Sequence, residues 1–234
     1  MTKIIRSEER HHADHGWLDT RWHFSFSDYY DPNNMSWGPL RVFNDDVIQG
    51  GGGFPGHPHR DMEIVSYVIS GGLEHQDNMR NKHVSRAGEI QRMSAGKGVV
   101  HSEFNASKNE PMRLIQLWIE PRKKGTPPRW DHGPFTREQR HNKLLALVSP
   151  DEARVEGSLG IDQDATVMVT SLDAGRDVSY TAKPGRHGYV FVMGGEVEVN
   201  GEKLNAGDQA RLKDETAIKV KATKDAEVMV IDLP

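Results

Sequence analysis

One order of blocks occurs twice in this chain of 234 residues, and that repetition constrains the fold more than any other feature. Val68-Ile69-Ser70-Gly71-Gly72-Leu73-Glu74 matches Phe191-Val192-Met193-Gly194-Gly195-Glu196-Val197. Ala87-Gly88-Glu89-Ile90-Gln91-Arg92-Met93 matches Ala206-Gly207-Asp208-Gln209-Ala210-Arg211-Leu212. Each copy reads strand, Gly-Gly turn, strand, Ala-Gly-acid turn, strand. Other short Val, Ile, Tyr and Phe segments, Met112 to Glu120 among them, lie between frequent Gly and Pro. Many short strands with regular turns predict an all-β sandwich or barrel, and duplication predicts two antiparallel β-barrels packed together. Pro127, Pro128, Gly133 and Pro134 mark the boundary, giving domains 1–130 and 131–234. Arg137 to Leu147 reads as a short helix.

The first copy carries an alternation of metal-binding side chains that the second lacks. In a strand, side chains at i and i+2 share a face. His57 and His59 in Gly56-His57-Pro58-His59 can therefore enter one cavity, with His101 and Glu103 of His101-Ser102-Glu103 looking back from a facing strand. Carried across the repeat, the four positions become Tyr180, Ala182, Val220 and Ala222, none a credible ligand set. The fold therefore does not require the quartet, which points to function. Three imidazoles and a carboxylate suit Fe(II), Mn, Co, Ni, Cu or Zn, and six-coordination would leave two positions open. Glu103 could also act as a base toward an acidic hydroxyl. Glu63 and Gln116 are candidates to orient the imidazoles or the substrate from behind the ligands. Of the nine remaining histidines among the 12, eight, His75 among them, read as ordinary surface or core residues.

Several chemistries are excluded. Cysteine is absent, which removes disulfides and thiolate zinc sites. A net charge of -4, from 34 acidic and 30 basic residues, argues against a nucleic-acid surface. Gly51, Gly53 and Gly56 fit a dinucleotide fingerprint in spacing only, because Pro55 and Pro58 deny it the following helix. There is no Gly-x-Ser-x-Gly elbow. His11-His12-Ala13-Asp14-His15 lacks the Glu that a helical zinc-hydrolase motif needs. Residues 1–10 carry no apolar signal core, and no run spans a bilayer, so a cytoplasmic protein without membrane contact is expected.

Gly56-His57-Pro58-His59 with Glu63, and Gly88 to Glu103 (GEIQRMSAGKGVVHSE), resemble the two cupin motifs in the form used by pirins. Asp14-His15-Gly16-Trp17-Leu18, Phe24-Ser25-Phe26 and Tyr29-Tyr30-Asp31-Pro32 are similar to the pirin entry segment. The resemblance covers nearly the whole chain, and is nearest to bacterial pirin-like flavonol dioxygenases. It implies a bicupin of jelly-roll type with a few short helices. One divalent metal, Fe(II) first, is implied in the N-terminal barrel on His57, His59, His101 and Glu103, with Glu63 behind them. It also implies opening of a flavonol ring with O2, quercetin giving a depside and CO. Some members are instead iron-bearing transcriptional co-regulators. Trp22-His23 stands where the family usually has His-Thr. If that segment borders the cavity, it bears on substrate choice and not on the metal.

Three functions share such a site: a dioxygenase acting on polyphenols, a metal-containing regulatory or redox-sensing protein, and a cupin isomerase or small-ligand binder. An enzyme predicts an apolar cleft over the metal, with Phe43, Phe54, Met62 and Trp118 as wall candidates. A monomer without direct nucleic-acid binding is expected.

Overall fold

Alternating burial along its strands folds the chain into two antiparallel units, described for residues 2–234 in a computed structural model. One unit comprises His11–Pro134 with Ile161–Gln163; the other comprises residues up to Arg10, Phe135–Gly160 and Asp164–Pro234. Thr2–Ile5 therefore belongs with the C-terminal unit, where it pairs with Gln209–Lys213.

Each unit is a seven-stranded sheet and a four-stranded sheet, the double-sheet form of a jelly roll. In the first unit the small sheet runs Gly53–His59, Val99–Asn105, Gly72–Asp77, Lys82–Arg86; in the second it runs Asp177–Thr181, Ala217–Ala222, Glu196–Val199, Glu202–Asn205. The order is the same, as duplication requires. The turns fix the correspondence. Gly71 and Gly195 both hold φ near +80°, as do Gly88 and Gly207, a region that favours glycine. Gly71 thus corresponds to Gly195, not to Gly194 as the bare sequence match suggests. A one-residue slip would turn every side chain to the other face of its strand.

With that anchor, cross-strand pairing gives the counterparts of the predicted ligands. His57 pairs with His101, and Tyr180 with Ile218. Glu103 pairs with His75, and Val220 with Val199. His101 and Glu103 therefore correspond to Ile218 and Val220, two residues before the positions read from sequence.

The inter-sheet cores differ in one informative way. The second unit has a continuous apolar cluster that includes Val190, Ala210, Ile218, Val220 and Val230. In the first unit the apolar packing is divided. Leu18, Ile48, Val68, Leu73 and Leu114 form one cluster, and Ile64, Met93 and Val99 another, with Trp118 and Trp130 against it. Between them, one step along each strand, lie Ser66, Gln91 and Gln116, which correspond to Val190, Ala210 and Val230. A polar layer in the first unit stands where the second has apolar filling.

The predicted helix over 137–147 is only Arg137–Arg140. Thr136 and Gln139 form its capping box, and Asn142, at φ 55°, ends the turn. Leu145–Pro150 is a strand. Among the described residues no helix is long and apolar enough to cross a membrane.

Candidate metal centre

Gly53–His59 and Val99–Asn105 lie side by side, with His57 opposite His101 and Val99 opposite His59. The alternation expected from sequence thus directs three imidazoles to one point, where their ligand atoms lie within 4.8 Å of one another. A register shift between His101 and Glu103 loosens the pairing beside the carboxylate. Burial pushes His101 down to about 3 and His59 to about 4, and the neighbouring imidazoles reinforce this. Both rings are neutral at physiological pH, as metal ligands must be.

The hydrogen bonds fix which nitrogens face the centre. His57 Nδ1 lies 2.8 Å from the Pro55 carbonyl oxygen, so Nδ1 donates and Nε2 keeps its lone pair. His75 Nε2 lies 3.3 Å from Asp77 Oδ2, and His75 Nδ1 lies 3.3 Å from His101 Nδ1. The carboxylate draws the His75 proton to Nε2. His75 Nδ1 then accepts from His101 Nδ1–H, which leaves His101 Nε2 unprotonated. The two free Nε2 atoms face each other at 3.0 Å. Lone pairs so placed call for a cation between them. Donors about 2.1 Å from one ion lie about 3.0 Å apart at right angles and about 3.4 Å apart at the tetrahedral angle. The observed spacing fits neighbouring positions of a six-coordinate ion. A metal among His57, His59 and His101, with Glu103 grouped with His101 beside them, therefore agrees with the donors present.

Glu103 is 2% exposed and held from three sides. Gln116 Nε2 donates to Oε2 at 2.8 Å, while Gln91 Nε2 and, at 3.4 Å, Ser66 Oγ donate to Oε1. Gln116 Oε1 accepts from the Trp118 indole at 3.1 Å, which fixes the amide's orientation. Of the two residues expected behind the ligands, Gln116 touches the carboxylate and Glu63 does not. In Glu63–Ser70, Ile64, Ser66 and Val68 pair with the inward Trp118, Gln116 and Leu114. Glu63 has the other parity. It accepts from Ser94 Oγ at 2.6 Å, near Arg92 and Arg129.

Gln91, His75 and Asp77 were not singled out from sequence. His75-Gln76-Asp77 has the same i, i+2 alternation as the ligands, which is the signal that could have found the pair. Asp77 is anchored by Asn81 and the Met79 amide, and Trp130 stacks on His75 at 5.0 Å. The ligand atoms of His75, His101 and Glu103 also cluster within 4.8 Å. Both His75 nitrogens are already engaged, so this group reads as support for the first.

A cavity of about 340 Å³ opens over His57, His59 and Glu103, within the range of small-molecule sites. Its walls include Leu18, Trp22, Phe26, Phe54 and Trp118. Phe54 and Trp118 stand where expected. Phe43 and Met62 do not: Phe43 is fully buried under His23, on the far side of its strand, and Met62 packs beside Ile64 and Met93. Of the unusual Trp22-His23 pair, Trp22 borders the cavity.

The pirin family model matches residues 5–119, and a model described as the quercetinase C-terminal cupin domain matches residues 146–233. A quercetin 2,3-dioxygenase of Escherichia coli K12 is 46% identical over 235 residues, covering 100% of this chain and 99% of that protein. A pirin-like protein of Caulobacter vibrioides is 48% identical over 94% of both chains. The crystal structure of the bacterial pirin YhhW from Escherichia coli in complex with nickel(II) superposes with a TM-score of 0.94. Its sequence is 42% identical, with coverage of 100% and 99%. The double-sheet duplication, the His and Glu cluster and these relationships together establish that the chain belongs to the pirin family, as a bicupin.

Proposed function

We propose that this protein is a metal-dependent dioxygenase that opens the ring of flavonols such as quercetin with O2, releasing CO. The observation that carries the reading is a three-imidazole cluster, with a carboxylate beside it, at the floor of an aromatic cavity. His57, His59, His101 and Glu103 hold one divalent metal, with Fe(II) the first expectation and Mn, Co, Ni, Cu and Zn compatible with the donor set. When bound, such an ion supplies Lewis acidity and the electron transfer that lets a flavonol react with O2. The nickel(II) complex of the related YhhW supports the metal assignment without selecting an ion for this chain.

The residues around the centre bind, orient and exclude water. Trp22, Phe26, Phe54 and Trp118 enclose a planar ring system. Trp118 meets His59 edge-on at 4.9 Å and limits that imidazole's motion. Among the described residues Glu103 Oε2 accepts only from Gln116, and it is the oxygen that takes up the proton of the flavonol 3-hydroxyl. Ser66 and Gln91 hold the other carboxylate oxygen in place.

The test is oxygen consumption and CO release with quercetin by protein reconstituted with each ion in turn. The reading expects turnover in at least one form and its loss in Glu103→Ala. Stoichiometric metal with no turnover of any flavonol replaces it with the regulatory reading.

A further inference from the structure

Two acceptors on the cavity wall have no role in holding the metal. Asn44 and Asp46 stand two residues apart on Leu40–Ile48, opposite Gln116 and Leu114, and both line the cavity. They are 4% and 3% exposed. Asn44 Oδ1 has no hydrogen-bond partner among the described residues. Asp46 Oδ1 accepts from Thr20 Oγ1, and its second oxygen has no donor among the described residues. Gln116 is committed to Glu103 and Trp118. Buried acceptors without donors are costly and normally paired.

The duplication supplies a control. Asp46 is reached through Leu114, which pairs with Val68, and Asn44 through Gln116, which pairs with Ser66. The same steps in the second unit run through Val228 and Val230 to Thr170 and Met168. That copy builds the same strand without a carboxylate or amide, so the fold does not need them here. In a cavity with largely aromatic walls, a few placed polar groups fix a ligand's orientation.

We propose that Asn44 and Asp46 form a hydroxyl-reading subsite, which accepts hydrogen bonds from ring hydroxyls of a planar polyphenol other than the one at Glu103. The inference rests on the flavonol reading and adds to it a preference for polyhydroxylated ligands. Burial pushes Asp46 up to about 7, against its bond from Thr20 and with the charges of Asp45 and Glu103 assisting. The carboxylate is thus a strong acceptor once ionised.

The test compares quercetin with 3-hydroxyflavone, which keeps the chelating group and lacks the other hydroxyls. Each is titrated without oxygen into the full-length metal-loaded protein at about pH 8, where Asp46 is ionised. Quercetin should bind about 10- to 100-fold more tightly. Asp46→Asn should shrink that ratio about tenfold, and Asn44→Leu, which does not touch the carboxylate, should shrink it less. A ratio near one in the wild-type protein, or one unchanged in both variants, overturns the subsite while leaving the flavonol reading intact. Failure of both compounds to bind the wild-type protein overturns the flavonol reading and the subsite with it.

Discussion

His75 Nδ1 lies 3.3 Å from His101 Nδ1, with Trp130 stacked on the His75 ring and Asp77 on its far nitrogen. A carboxylate, two imidazoles and the metal cluster thus form one buried line. Its effect is to keep the His101 proton on Nδ1 and the Nε2 lone pair free. His75→Phe preserves the packing and removes the acceptor. It should weaken metal affinity about 10- to 100-fold, measured by chelator competition. Nitrogen NMR of the metal-free protein should show the His101 proton redistributed between its nitrogens. Unchanged affinity and tautomer would leave His75 as filling.

His59→Ala should abolish tight metal binding and still give one cooperative thermal transition. The apolar clusters on either side of the polar layer do not include His59. Structural zinc domains behave differently, because metal binding supplies their folding free energy. Metal analysis should give one equivalent for the wild-type chain and none for the variant, since the second unit offers only Tyr180, Ala182, Ile218 and Val220 at the matching positions. A second tight equivalent in the wild-type protein would refute this assignment.

Asp46 should make stability depend on pH. Its folded value, about 7, lies above the ordinary 3.8. The folded state therefore prefers the protonated form, and the stabilisation is full below 3.8 and lost as pH rises through about 7. His59 and His101, lowered by burial, act in the opposite sense. Comparison with Asp46→Asn cancels them. In urea unfolding of metal-free protein, wild-type stability should fall relative to Asp46→Asn between about pH 5 and about pH 8. A constant difference would place Asp46 in a wetter environment than its burial indicates.

The turn at Gly195 should be intolerant of a side chain. A Cβ there would run into the Asp225 carbonyl oxygen, with φ at +84°. Gly195→Ala should cost about 1–3 kcal/mol or more by chemical denaturation. Gly201→Ala, at φ +90° with nothing within 4 Å, should cost less, because it meets no atom. Equal effects would show that backbone conformation alone sets the cost.

The convergence of these side chains was legible because strand alternation is local: His57 and His59, or His101 and Glu103, share a face whatever surrounds them. Gln116 was legible for the same reason, standing on the alternating stretch around Leu114 and Trp118. The rest depends on pairing between distant strands. Glu63 looked suited to the ligands until its register put Ser66 on the inner face and Glu63 against Ser94. His75 and Asp77 had the right spacing but no neighbouring motif, so their role emerges only where Gly72–Asp77 pairs with Val99–Asn105. The same limit displaced Val220 and Ala222 as counterparts in favour of Ile218 and Val220. The stretch after Arg140 carried no sign that Asn142 would adopt a left-handed turn and that a strand would begin at Leu145.

We propose that the cluster of His57, His59, His101 and Glu103 serves oxygenation of a flavonol. The most direct measurement is simultaneous oxygen uptake and CO release during quercetin turnover by protein carrying one equivalent of Fe(II), Mn, Co, Ni or Cu. One CO should appear for each O2 consumed in at least one metal form, and Glu103→Ala should abolish its release. Tight one-to-one metal binding with no CO from quercetin or any other flavonol, in every metal form, would contradict it.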